Sequence, residues 1–273
     1  MLSPHKQVSQ AHALLSVATL ASDALVEKEF MGYLTLAERD RLQGIRNTTR
    51  RKKWLAGRLA AKYLYLEHQN PLRPRRAPAE MNFTGLARDS IASFAPSSYR
   101  EVEILPAGGS TGNVPRLRAR DAGQSYPDIS LSHTDGLSCA CLAYGATVGV
   151  DLELPVRRLD SFYRVNFTRA ESEWVGAVAG RNDISPFWLY TVLWSLKESA
   201  LKFRHCGEAS VWDMPNIEIN MLSDTTDWAR LCNRTALGDE FVFLPIEINE
   251  RCGTRHAQVA LTATRHLILV ISK

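Results

Sequence analysis

Val148-Gly149-Val150-Asp151-Leu152-Glu153 is an apolar run that breaks into acid, and about forty residues later Trp194-Ser195-Leu196-Lys197-Glu198-Ser199-Ala200-Leu201-Lys202 brings a third acid among lysines. If the first is a strand, its side chains alternate, so Asp151 and Glu153 share one face while Val150 and Leu152 share the other. Two such charges ~6 Å apart at an effective dielectric of ~20 repel by roughly 3 kcal/mol. The pair therefore calls for a cation, although the hexapeptide alone also reads as a solvated strand end. On a helix, Trp194, Glu198 and Lys202 fall at i, i+4 and i+8 on one face, with Lys197 next to it. By themselves Glu198 and Lys202 read as an exposed ion pair worth roughly a few tenths of a kcal/mol. Together, the carboxylates of Asp151, Glu153 and Glu198 and the ammonium groups of Lys197 and Lys202 fit a magnesium ion that holds a substrate's phosphates. Mg²⁺ takes carboxylate, phosphate and water oxygens, and lysine meets phosphate as a point charge.

The elements that must position these groups follow from local pattern. Leu14 to Leu20 reads as a strand, and Thr35 and Glu38 have capping-box spacing at the start of a helix. The basic run Arg46, Arg50, Arg51, Lys52 and Lys53 leads into an amphipathic helix over Trp54 to Leu64. Residues 70–128 are rich in Pro, Gly, Ser and Arg and read mostly as loop with short strands. Strands are expected over Ile129 to His133 and Leu137 to Tyr144, joined by a turn at Asp135-Gly136. Further strands are expected over Asn216 to Met221, Glu240 to Ile248 and Gln258 to Ala263, and Leu267 to Ile271 reads as an edge strand.

The second half repeats the first. Thr168, Ala170 and Glu171 match Thr35, Ala37 and Glu38, and the helix from Trp194 to Lys202 matches Trp54 to Lys62 at Trp, Ala and Lys. The expected fold is therefore α+β: two similar lobes in a pseudo-twofold arrangement, residues 1–145 and 146–273, each an antiparallel sheet packed on a long helix. In this match Gly57-Arg58 stands where Lys197-Glu198 stands, so only the second lobe keeps the helix acid and one metal site is expected.

At 273 residues, with 45% hydrophobic and 23% charged residues, the composition is that of an ordinary globular protein. A net charge of +4 suits an acidic protein partner or a phosphate-rich small molecule. No recognised nucleic-acid module is present, and no apolar run reaches the ~18 residues of a membrane span. Cys139, Cys141, Cys206, Cys232 and Cys252 are odd in number and lack CxxC spacing, which argues against a disulfide framework or a zinc site. Ser16 and Thr19 interrupt the one stretch that could pass for a signal core, so a cytoplasmic monomer with free thiols is expected.

The order Ser132-His133, Gly149-Val150-Asp151-Leu152-Glu153, Phe167 with Glu171, then Trp194-Ser195-Leu196-Lys197-Glu198 with Lys202 resembles the 4'-phosphopantetheinyl transferases of the larger, single-chain, surfactin-synthetase-activating type. Both the (V/I)G(V/I)D and the (F/W)(S/C/T)xKE(A/S)xxK motifs are complete. The resemblance implies transfer of the phosphopantetheine arm of coenzyme A to a serine of an apo acyl or peptidyl carrier protein, with release of adenosine 3',5'-bisphosphate. It implies Asp151, Glu153 and Glu198 as ligands of Mg²⁺, with Mn²⁺ as an alternative. It leaves two candidates for the base, Glu198 or a water held near Glu171, and Glu171 also reads as a helix cap alone. Lys202 is implied to stabilise the pyrophosphate and to be able to protonate the leaving group, and Ser132, His133 and Lys197 to lie around the coenzyme A phosphates. His133 also reads as a plain turn histidine. Lys52, Lys53 and Arg58 resemble the family's first coenzyme A contact, but a solvated helix face explains such charges as well. A Gly-Lys-Pro common in the family is replaced by Gly112-Asn113-Val114-Pro115, which passes that lysine's role to Arg116 or Arg118 or loses it. The basic surface, with Arg157, Arg158 and Arg164, suits the acidic helix of a carrier domain. The competing class is a protein that grips carrier domains or coenzyme A without turnover.

Overall fold

The computed structural model describes residues 14–23, 25–70, 82–106, 114–120, 126–182, 184–203, 211–221, 242–250, 253–263 and 267–272. Gly112, Asn113, Cys206, Cys232 and Cys252 lie outside them. The class is α+β, as expected. Strand β1 (Leu14–Ala21) is followed by the short helix α1 (Glu27–Phe30), α2 (Leu36–Gln43) and the long α3 (Thr48–Gln69). Then come β2 (Asn82–Leu86), α4 (Arg88–Ala92), α5 (Pro96–Arg100), β3 (Val102–Pro106), β4 (Pro115–Ala119), β5 (Asp128–Thr134) and β6 (Leu137–Tyr144). Residues 70–128, expected to be mostly loop with short strands, also hold the two short helices α4 and α5. Pro96 opens α5, where its fixed φ and missing N–H do no harm.

The second half runs β7 (Val148–Glu153), α6 (Asp160–Asn166), α7 (Arg169–Asn182) and α8 (Pro186–Phe203), then β8 (Glu218–Met221), β9 (Val242–Glu250), β10 (Gly253–Ala263) and β11 (Leu267–Ser272). One sheet has the order β2-β1-β6-β5, the other β7-β11-β10-β9-β8, and β3 pairs with β4 in a ribbon. β11 is thus an interior strand, antiparallel to both β7 and β10, rather than the expected edge.

Among the described residues three buried clusters pack on the sheets, one of them joining Val17, Cys139 and Cys141 to Val148, Val150 and Leu152. Leu55, Leu59, Ala60 and Leu64 of α3 pack on β1 and β6 through Ala18, Leu20, Ala140 and Leu142. Leu189, Val192, Leu193, Leu196 and Ala200 of α8 pack with Ile219, Ile246 and Ile248. The free edge of β7 is closed by side chains rather than by another strand. Asp128, Ser130 and Ser132, alternate residues of β5, accept from the backbone N–H groups of Val148, Val150 and Leu152 at 2.8, 2.9 and 3.2 Å. This seam satisfies an edge that would otherwise offer unpaired donors, and it joins the two sheets where the acids lie.

Candidate active site

β7 carries Asp151 and Glu153 to the seam, and α8 crosses directly over the strand. Gly149 permits this: a Cβ at that position would lie 2.0 Å from the Ser199 carbonyl oxygen and 2.7 Å from the Phe203 nitrogen. Only a residue without a side chain lets the two backbones approach so closely. The result is a cluster in which Asp151, Glu153 and Glu198 each offer an oxygen, all within 4.8 Å of one another.

Asp151 is 2% exposed. Its Oδ1 accepts from Ser132 Oγ at 2.9 Å and from Lys202 Nζ at 2.7 Å, and its Oδ2 accepts from Ser195 Oγ at 2.7 Å. Burial works against this carboxylate, but Lys202 and the two hydroxyls outweigh it and hold its pKa below the ordinary value. The other two acids are pushed the opposite way. Burial and the neighbouring Asp151 raise Glu198 to about 8 and raise Glu153 as well, although Arg158 and the indole of Trp194 oppose the latter shift. Burial likewise disfavours the Lys202 ammonium, yet Asp151 and Glu198 raise its pKa on balance. Three carboxylate oxygens crowded at one point, two of them resisting ionisation, form a donor set suited to a hard divalent cation.

A cationic group adjoins the acids. Desolvation, then Lys202, Lys53, Arg58 and Arg50 in that order, hold the His133 imidazole below its ordinary pKa. The desolvation is partial, because His133 itself is exposed at the surface. Cations of both α3 and α8 are thus near enough to His133 to disfavour its charged form. Arg58 lies 4.1 Å above the Trp54 ring, and its Nε is buried without a hydrogen-bond partner. Lys53 is paired with Asp135 at 2.9 Å.

Several expected site residues lie elsewhere. Lys197 points away from the acids; its side chain is wholly buried and pairs with Glu171 at 2.8 Å. Glu171 is spent on structure: Oε2 accepts from Thr168 N as a helix cap and Oε1 from Ile219 N. The two are therefore not brought to the cluster, because adjacent helix positions face directions about 100° apart and the buried acid claims Lys197. Ser132 is at the cluster, but its hydroxyl is saturated: it donates to Asp151 and accepts from Leu152 N and Lys202 Nζ. One donor and two lone pairs leave nothing for a phosphate. Lys52 donates to the Asp23 carbonyl at 3.4 Å. Arg116 lies 3.8 Å from Asp128, at the other end of β5 from His133 and so about 16 Å along the strand.

One side chain at the cluster was given no role in the sequence reading, Ser195, whose hydroxyl donates to Asp151. Ser195 stands at i, i+3 and i+7 with Glu198 and Lys202, a single helical stripe, so its spacing was the available signal.

These acids, with Lys202 beside them and Lys197 turned inward, lie within a stretch of chain that a known family model matches. Residues 147–251 match the family model of the 4'-phosphopantetheinyl transferase superfamily. That match implies a transferase of the phosphopantetheinyl type. It takes in β7, α6, α7, α8, β8 and β9, with all three acids and Lys202, but not the β5 and α3 residues around His133. No curated protein matches the chain. No helix among the described residues is long and apolar enough to cross a membrane.

The raised pKa of Glu198 has a consequence for metal-free protein. Its folded-state proton is held more tightly than the unfolded one, so stability falls as pH rises from about 5 toward 8. Added Mg²⁺ relieves the ionised carboxylates, so the rise in Tm it produces is expected to be larger at pH 8 than at pH 6, as differential scanning fluorimetry can measure. An equal shift at both values would mean that these acids do not bind the ion.

Proposed function

We propose that the chain catalyses Mg²⁺-dependent transfer of the phosphopantetheine arm of coenzyme A to a serine of an apo carrier protein. The observation that carries this reading is the meeting of Asp151, Glu153 and Glu198 within 4.8 Å of one another, with Lys202 paired to Asp151. When bound by the three acids, the metal would supply charge neutralisation on the pyrophosphate. The Lys202 ammonium, part-exposed and paired with Asp151, would neutralise and protonate the leaving phosphate. His133, Lys53 and Arg58 would hold the remaining phosphates, and the unpartnered Arg58 Nε supports that role. Glu198 would take the proton of the incoming serine, since both oxygens of Glu171 are engaged and its side chain is 1% exposed. The serine oxygen then forms the new P–O bond as the bond to adenosine 3',5'-bisphosphate breaks.

The two halves are read as duplicated lobes meeting at about residue 146, the first supplying coenzyme A contacts and the second the acids. A carrier would dock on α6, where Arg157, Arg158, Leu159, Phe162 and Val165 line a groove of about 860 Å³. Leu159 is 79% exposed and Val165 60%, an apolar strip flanked by arginines that suits an acidic amphipathic helix.

Incubation with coenzyme A, Mg²⁺ and a panel of apo carriers, followed by mass spectrometry of the carriers, tests the activity. A phosphopantetheine mass gain supports it; none across the panel would sink it. Leu159→Asp is expected to raise the KM for the carrier about tenfold while leaving that for coenzyme A unchanged. An unchanged carrier KM would move the docking surface elsewhere.

A further inference from the structure

The buried pair Glu171–Lys197 has a twin. In the first half, Glu38 and Lys62 are both 0% exposed and pair at 2.5 Å. Each glutamate makes the same three bonds, two accepted by its carboxylate and one donated by its own backbone N–H. Glu38 accepts from Thr35 N and Ile104 N and its own N–H bonds Thr35 Oγ1, while Glu171 accepts from Thr168 N and Ile219 N and its own N–H bonds Thr168 Oγ1. Each lysine donates to two further carbonyls, Tyr33 and Tyr99 for Lys62 at 3.3 and 3.1 Å, Asn166 and Met214 for Lys197 at 2.7 and 3.2 Å. Burial depresses both ammonium groups, and their glutamates offset it. The unit thus ties a capped helix, a long helix and a strand to one point by the same set of contacts twice. It also corrects the match through Trp54 and Trp194: the bonded lysines are Lys62 and Lys197, five residues out of step with it, so Tyr63 rather than Arg58 stands where Glu198 stands.

We propose that Glu171 and Lys197 are positioning residues for the metal site. Lys197 precedes Glu198 directly and lies five residues before Lys202. Its three fixed acceptors set the rotation of α8 about its axis, and that rotation aims Glu198 and Lys202 at Asp151. The twin pair performs the same anchoring of α3, which carries no acid of the cluster, and so serves as an internal control. This inference rests on the cluster being a metal site, not on the identity of the substrate.

The test is Mn²⁺ binding by electron paramagnetic resonance, with Tm measured alongside, in Lys197→Met, in Glu171→Gln with Lys197→Met, and in Lys62→Met. The double variant removes both charges at similar volume, which keeps the fold accessible where the single change does not. Expected is a loss of Mn²⁺ affinity of about tenfold in the Lys197 variants, with no change in Lys62→Met despite a comparable fall in Tm. In the transferase assay kcat should fall with the KM for coenzyme A within about twofold of the parent, since Lys197 does not touch the substrate. Unchanged Mn²⁺ affinity in the double variant would overturn the proposal, as would a raised KM for coenzyme A with kcat preserved. If wild-type protein binds Mn²⁺ and the variants behave as expected but no carrier is modified, the assignment of function fails and the positioning role stands.

Discussion

Gly149→Ala is expected to abolish Mg²⁺-induced stabilisation and lower Tm by roughly 6–12 °C, or to leave the protein insoluble. The added methyl would meet the Ser199 carbonyl oxygen at 2.0 Å, and its other neighbours are the Phe203 nitrogen and Cβ at 2.7 and 2.9 Å. Two of the three are backbone atoms, so no rotamer change relieves the overlap. Helix α8 must move off β7, at a cost of about 3 kcal/mol or more, which corresponds to that Tm shift in a chain of this length. The displacement separates Ser195, Glu198 and Lys202 from Asp151, whose bonds to Ser195 and Lys202 are both 2.7 Å. Circular dichroism and thermal melts with and without Mg²⁺ read both effects. A variant with parental Tm and an intact Mg²⁺ response would show that the close crossing is not what assembles the site.

Asp151→Asn is expected to reduce carrier modification at least about a thousandfold, with secondary structure retained. The amide keeps the shape and can still accept one hydroxyl bond, but it removes the charge that holds Lys202 and would hold the metal. Asp151→Ala is the poorer test, because it strands Lys202 and the hydroxyls of Ser132 and Ser195 around a buried gap, and stability falls together with activity. Titration of Mg²⁺ by calorimetry should show weakened binding in Asp151→Asn. Near-parental turnover at limiting Mg²⁺ would mean that Asp151 is not part of the metal site.

Much of the site was legible because it obeys short-range periodicity. The alternation of Val150, Asp151, Leu152 and Glu153 told which side chains share a face, and the four-residue rhythm of Trp194, Glu198 and Lys202 did so for the helix. Thr35 with Glu38 and Thr168 with Glu171 revealed both capped helices for the same reason: capping is a bond between residues three apart. The likeness of the two buried Glu–Lys pairs was foreshadowed in those words, although the helix register was not, since Trp54 and Trp194 match in type while the pairs equate Lys62 and Lys197.

What the sequence by itself determined was the α+β class, the capped helices, and the strand and helix faces that bear the acids. Tertiary structure alone decided that Asp151, Glu153 and Glu198 come within 4.8 Å, that Ser132 is fully bonded, and that Lys197 turns inward to Glu171. It also placed β11 between β7 and β10 and left Arg116 at the far end of β5. The physical reason is the range of the forces involved. Faces and caps follow from backbone geometry over a few residues, whereas Lys197 and Glu198 are neighbours whose different tasks depend on which buried partners the rest of the chain brings to each.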